Sequence, residues 1–263
     1  MLFFVGWGVA FAAPSAAEIQ QAIQQFNQGA VYDLPSLSTQ QIESLRAGKV
    51  VKVMDQQGGT TQPRRATGLI LSPASRDQLW VSCQDMHFQQ QESTTELRVS
   101  LSPPDKAAWY GYLDLPWPFD DRHWVVDVYN NHALSAATDG RAWEHPWTLV
   151  PEARAETMMT PIIQQKKVKG VDIEKYNAAI YTPVNRGAWI AIDLGEYAIF
   201  GYHATTVVGG NIPENLISQF VYQGMDKLLK DIERRATKSI PSHYSSGHKE
   251  QIIGGDGAPV GFF

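Results

Sequence analysis

The chain has a single cysteine, Cys83, in 263 residues. One thiol excludes an internal disulfide, and without a Cys cluster the thiolate zinc sites are excluded as well. Cys83 lies in RDQLWVSCQDM near Trp80, a setting that favours a buried structural thiol over an activated nucleophile. Basic residues are not in excess, because 22 Lys and Arg stand against 27 Asp and Glu, for a net charge of -5. Such a chain lacks the positive face that a nucleic-acid backbone requires, so no nucleic-acid partner is expected. The one dense basic run, QQKKVKG at 164–170, fits a solvated loop, and its functional alternative is contact with anionic headgroups. The sequence holds no HExxH, no His pair four apart on a predicted helix, no Gly-x-Ser-x-Gly, no phosphate loop and no dinucleotide fingerprint. No metal, no cofactor and no catalytic residue are therefore assigned. What remains is an ordinary globular balance, 43% hydrophobic and 19% charged, in a chain long enough for one large domain or two small ones.

Long hydrophobic runs are also scarce. The apolar stretch from Leu2 to Ala13 ends in small residues, Ala10-Phe11-Ala12 or Phe11-Ala12-Ala13. It is too short to cross a bilayer comfortably. It has the apolar region and cleavage site of a secretory signal, although no Lys or Arg precedes it. Residues 1–13 are expected to be a signal peptide and the protein to be periplasmic or secreted. The alternative is an apolar extension of a cytosolic chain. No other stretch suggests a membrane span, and the processed protein is expected to be soluble.

Helical and strand periods then divide the chain. AAEIQQAIQQFN, 16–27, places Ile19, Ile23 and Phe26 on one stripe. Ser38 can cap a short helix that ends at Gly48. KVVKVM at 49–54 and RRATGLILS at 64–72 read as strands, with QQGGTTQP as the turn between them. PASRDQLWVSCQDM, 73–86, reads as a helix opening with proline after Ser72. Strands follow in TTELRVSL, AAWYGYLDL, RHWVVDVYN, RAWEHPWTLV, EKYNAAIYTPV, GAWIAIDL and YAIFGYHATTV. The segment 211–236 then changes period, with Ile212, Leu216, Phe220, Gly224 and Leu228 in one row and Ile217, Val221, Met225, Leu228, Leu229 and Ile232 in the next, and reads as a long amphipathic helix capped at Asn211. The tail 237–263, rich in Gly, Ser and Pro, reads as mostly irregular. Residues 14–37 are expected to form an N-terminal helical extension and 38–236 the main domain. Successive strands with short turns favour an antiparallel sheet, and one long helix with an apolar stripe can cover its face. The expected class is α+β, with room for a ligand if the interior is incompletely filled.

One dozen, LDLPWPFDDRHW at 113–124, interrupts a strand with Pro116-Trp117-Pro118 and places Arg122 just past the break. Prolines give no ladder hydrogen bond, so they mark a bend or an edge. With TPVNRGAW at 182–189 and HATTVVGGNIPENLISQFV at 203–221, this segment resembles the START lipid-transfer domains of the helix-grip (Bet v 1-like) superfamily, which also includes the polyketide cyclases. The likeness covers about residues 38 to 236. It departs from the family pattern where Val207-Val208 precede the double glycine in place of an acidic residue.

The resemblance implies a curved antiparallel sheet wrapped around the long C-terminal helix, and binding, with possible transfer, of a hydrophobic small molecule or lipid in an internal cavity. It also implies transient contact with a membrane surface. The candidate lining is Trp117, Trp124, Trp143, Trp147, Trp189, Tyr202, Leu216 and Phe220, with Arg122 either in an ion pair with Asp120, Asp121 or Asp127 or anchoring a headgroup. The alternative function is a cyclase-like enzyme that recruits His203, Tyr202, Tyr181 and Arg122. A third is a protein-interaction domain with a filled core. His145 stands beside Glu144, but strand alternation sends neighbours to opposite faces.

Overall fold

The computed structural model describes residues 12–56, 62–85, 94–101, 105–212, 214–245 and 252–261, without the side chains of 94, 101, 214–218, 220 and 245. Among these residues nine strands form one sheet: β1 (Val51–Asp55), β2 (Arg65–Ser72), β3 (Thr94–Leu101), β4 (Lys106–Leu113), β5 (Arg122–Tyr129), β6 (Ala142–Leu149), β7 (Ile180–Tyr181), β8 (Val184–Asp193) and β9 (Ala198–Val207). Their order is β1-β2-β9-β8-β6-β5-β4-β3, antiparallel throughout, while the short β7 pairs in parallel with β5. The two ends of this order do not pair, so the sheet is an open curl rather than a barrel.

Alternation along each strand gives the sheet two apolar faces, and different helices cover each. On the outer face, α1 (Ala16–Asn27) and α2 (Thr39–Arg46) bury Ile19, Phe26, Ile42 and Leu45 against Leu69, Leu71, Ala188, Ile190 and Ile199. From residues 14–37, Ile19, Ala22, Ile23, Phe26 and Leu34 are buried in this outer-face core. Further along this face, α5 (Glu152–Gln164) and α6 (Ile173–Ala178) bury Ala155, Met159, Ile163 and Tyr176 against Tyr110, Tyr112 and Val125. On the inner face lie α3 (Arg76–Gln84), α7 (Glu214–Arg234), a π-helical turn at Arg235–Ser239 and α8 (Ile240–Ser245). They bury Leu79, Trp80, Leu229, Ile232 and Ile240 against Ile70, Trp143, Ala191 and Phe200. Each such side chain contributes roughly 1.5–3 kcal/mol by leaving water. α7 seats closely on β2 because Gly68 has no side chain: a Cβ there would stand 3.0 Å from Leu229 Cδ1 and Met225 Sδ.

The helix starts follow local chemistry. Ser15, Ser38 and Ser75 each form a reciprocal capping box, with Glu18, Gln41 and Gln78. Ser75, not Ser72, begins α3, because Ser72 ends β2 and its Oγ accepts from the Ala74 N–H. The segment 174–184 is α6 followed by β7 rather than a strand: the Asp172 carboxylate accepts from Lys175 N–H and starts a helix that buries Tyr176. Two helices were not anticipated, α5 and the short α4 (His132–Ala137), which the Asn131 side chain caps. The tail departs from its irregular expectation up to Ser245, whereas 252–261 is irregular apart from one bridge between Ile253 and Pro259. The helix path continues through Ser245, and Ile252 and Val260 are buried in the inner-face core. Residues 1–11, most of the expected signal peptide, lie outside the described residues. Among the described residues no helix is long and apolar enough to cross a membrane.

Candidate functional site

Between α7 and the inner face of the sheet lies an open hollow of about 880 Å³. β5 supplies Trp124, Val126 and Val128, successive same-face residues of one strand. Trp147, Trp189 and Tyr202 stand on the neighbouring strands β6, β8 and β9 and form one aromatic wall. Tyr202 stacks on Trp147 at 5.5 Å and meets Trp189 at 4.5 Å, and Trp189 stacks on Phe200 at 5.7 Å. The Trp147 indole N–H donates to Asn185 Oδ1 at 2.9 Å, which fixes the ring's orientation. Gly111 makes the wall possible at β4, because a Cβ there would come within 2.3 Å of the Trp124 ring.

The interior is not uniformly greasy. Glu96, Arg98, Asp105, Lys106, Asn130 and His145 also line the hollow. Glu96 is open to the hollow yet enclosed by protein, and this desolvation pushes its carboxyl up to about 7. Burial pushes the imidazole of His145 down to about 4, so it is neutral at physiological pH. His145 Nδ1 lies 2.6 Å from Asn130 Oδ1. That oxygen only accepts, so Nδ1 carries the proton and Nε2 keeps its lone pair. The α7 rim is charged, with Asp231 paired to Lys227 at 3.1 Å and to Arg234 at 2.8 Å.

Four of the nine sequence candidates, Trp124, Trp147, Trp189 and Tyr202, therefore meet at one surface. Three stand elsewhere. Trp117 is 92% exposed, at the tip of the loop between β4 and β5, because the Pro116–Pro118 break turns the chain outward. Trp143 shares the inner face but fills solid core. Its ring meets Trp80 at 5.2 Å, Arg76 stacks over it at 3.4 Å, and Gly254 and Gly255 of the C-terminal segment pass directly across it. Arg122 is buried at 1% exposure and takes neither expected role. Its Nε donates to the Val208 carbonyl at 2.7 Å, Nη2 to Gly209 at 3.0 Å, and Nη1 to the carbonyls of Asp120 and Asp121. Burial lowers its basicity, and the charges of Asp120 and Asp121 oppose that effect. The side chains of Leu216 and Phe220 lie outside the described residues.

The acid–base candidates scatter. His203 lies on the outer face against Tyr32, and the Tyr181 hydroxyl donates to the Val150 carbonyl at 2.7 Å. Glu144 and His145 point to opposite faces, since Glu144 accepts from the N–H groups of Val31 and Tyr32. Cys83 is buried, and burial pushes its thiol up. Sequence reasoning missed Glu96 and Arg98. Their alternation in TTELRVSL points them to one face, but only the sheet's curl makes that face an interior.

No protein-family model and no curated protein matches the chain. Solved structures match in fold. Human STARD10 superposes with a TM-score of 0.57 at 9% identity, over 83% of this chain and 86% of that chain. Human StAR-related lipid transfer protein 5 gives 0.54 at 10% identity, over 85% and 97%. A STAR-related lipid transfer protein from Xanthomonas axonopodis gives 0.50 at 17% identity, over 72% and 99%. At these identities the likeness is one of fold: the chain is an α+β protein with a START-like helix-grip fold.

Proposed function

We propose that this protein binds one lipid-like amphiphile in the hollow between α7 and the sheet, as a carrier or sensor rather than as a catalyst. The observation that carries this is the aromatic wall of Trp124, Trp147, Trp189 and Tyr202 facing a space of about 880 Å³, in the size range of small-molecule pockets. Apolar burial at about 25 cal/mol per Å² gives a chain of methylenes ample affinity. The polar residues at the β3–β4 side favour a ligand with a polar end over a plain hydrocarbon. Native mass spectrometry of protein purified from its own host tests this. The expected result is a retained lipid mass, and repeated preparations free of lipid overturn the proposal.

Loading requires a meeting with a membrane, and the loop between β4 and β5 suits it. Trp117 at 92% exposure and Phe119 at 41% project from a loop whose base is fixed. Leu115 N–H donates to the Asp121 carboxylate at 2.9 Å, the Tyr112 hydroxyl donates to the same group, and Arg122 ties the base to Val208 and Gly209 just before α7. Exposed tryptophan partitions into the interfacial zone of bilayers. We place the protein in the periplasm or outside the cell on its apolar N-terminal run. Cell fractionation should find a shortened product there, and a full-length cytoplasmic product overturns this placement.

A second reading, a cyclase-like enzyme, is favoured by one observation: Glu96, with a carboxyl near 7, faces the same hollow as neutral His145. Turnover of a hydrophobic polyketide lost in Glu96→Gln with binding retained supports the enzyme over the carrier.

A further inference from the structure

The outer face of the sheet holds a second, smaller constellation. In register across three strands, Arg65 on β2 stands opposite Thr205 on β9, which stands opposite Arg186 on β8. Two residues along, Thr67, His203 and Ala188 form the next row. A shift of two keeps both rows on one face. Tyr32, from the segment before α2, closes over the rows and meets the His203 ring edge-on at 5.3 Å. Between them lies a cavity of about 50 Å³ bordered by Tyr32, Arg65, Arg186, His203 and Thr205. At roughly 10–15 Å³ per water-sized centre, it has room for about four oxygen atoms.

Two buried polar side chains at these rows lack partners among the described residues. His203 is 1% exposed, and neither ring nitrogen has a hydrogen-bond partner among the described residues. Thr67 is 0% exposed, and its hydroxyl is likewise unpartnered there. Buried groups in this state destabilise a fold unless something supplies their partners. Arg65 is already committed, to both oxygens of Asp55 at 3.0 and 2.6 Å and to the Asp33 carbonyl. Glu144, the other nearby charge, is held by Val31, Tyr32 and Asn131. The guanidinium of half-buried Arg186 has no hydrogen bond or ion pair among the described residues. Glu144 keeps its charge behind Tyr32, but the lining of the cavity itself, among the described residues, holds two cations, Arg65 and Arg186, and no carboxylate.

We propose that this cavity binds a small, partly protonated oxyanion of the size of hydrogen phosphate, with Arg186 supplying the charge and His203, Thr205 and Tyr32 the directional hydrogen bonds. Burial, and then the Arg65 charge, pushes the His203 imidazole down to about 3, so the ring is neutral at physiological pH. A neutral ring offers one N–H donor and one lone pair. An oxyanion that keeps a proton satisfies both, whereas one without a proton satisfies only the donor. The occupant is a free anion, since the space is too small for a lipid headgroup with its glycerol. The site is on the opposite side of the sheet from the hollow and stands independently of any lipid there.

The test is titration of the full chain with inorganic phosphate near neutral pH at constant ionic strength, read by calorimetry and by the ring ¹⁵N shifts of His203. Saturable binding with His203 shifts is expected. Arg186→Gln should weaken it about tenfold, the loss of one charge-assisted contact. Sulfate, unprotonated near neutral pH, should bind more weakly by a similar factor. His203→Phe should abolish binding. Arg154→Gln, which removes an exposed arginine paired with Asp127, should leave it unchanged. If His203→Phe does not fold, Arg186→Gln decides alone, because that side chain is only half-buried. No saturable phosphate binding at millimolar concentration, equal binding of phosphate and sulfate, unaltered binding in Arg186→Gln, or binding only to phospholipid vesicles each overturns the proposal.

Discussion

Arg122 Nε donates to the carbonyl oxygen of Val208 at 2.7 Å, joining positions 86 residues apart. One guanidinium therefore binds the base of the Pro-Trp-Pro loop to the approach of α7. The double glycine is shaped to receive it. Gly209 and Gly210 have φ of 68° and 65°, and a Cβ on Gly210 would stand 2.8 Å from Arg122 Nη2. Both glycines adopt a backbone conformation that side chains disfavour, and at Gly210 the buried cation leaves no room for one.

Arg122→Met should destabilise the fold by about 3 kcal/mol or more, because it strips charge-assisted hydrogen bonds from four carbonyls in a dry site. Urea unfolding measures this. A cost below about 1 kcal/mol would mean that water replaces the guanidinium at the joint.

Gly111→Ala should push the Trp124 ring from its seat, since the new Cβ falls within 2.3 Å of it. Overpacking of this kind costs about 1–3 kcal/mol. Trp124 fluorescence should shift, and lipid occupancy by native mass spectrometry should fall.

Glu96 makes stability depend on pH. Its carboxyl ionises at about 7 in the folded chain, against an ordinary value of 4.5. The folded state holds this proton more tightly, so the contribution is full below about 4.5 and is lost as pH rises through about 7. Unfolding free energy should decline across that window, and Glu96→Gln should flatten the decline. A ¹³C carboxyl titration of Glu96 with a midpoint near 4.5 contradicts this.

Trp117→Ser should leave stability within about 0.5 kcal/mol, as for an ordinary surface change, while weakening binding to phosphatidylcholine vesicles. Asp114 and Asp120 flank the tip, so anionic vesicles should bind less well than zwitterionic ones. Unchanged vesicle binding would remove this loop from the membrane contact.

Trp143→Ala and Trp189→Ala should separate core from wall. Both remove an indole, but Trp143 is packed under Gly254 and Gly255 whereas Trp189 faces the hollow. Trp143→Ala should cost about 3–5 kcal/mol of stability with ligand retained, while Trp189→Ala should lower ligand occupancy. Equal loss of ligand in both would show that the two positions share one role.

Periodicity and local chemistry by themselves determined most of the elements. The stripe of Ile19, Ile23 and Phe26 marked α1, Ser38 marked the start of α2, alternation or a β-branched and aromatic composition marked eight of the nine strands, and Met225, Leu229 and Ile232 marked α7. These are properties of neighbouring residues, so no long-range information was needed. Ala155, Met159 and Ile163 carry the same spacing in α5, but prolines at 151 and 161 obscured it. Tertiary structure alone decided which aromatic side chains face the hollow. Trp143 and Trp147 point to one side of β6, yet one lies beneath the C-terminal segment and the other faces open space. Arg122 likewise has carboxylates beside it in sequence but donates to carbonyls, two of them from a distant loop. A strand's alternation selects a face of the sheet. What covers that face is set by chain segments far away in sequence, whose arrival no local pattern encodes.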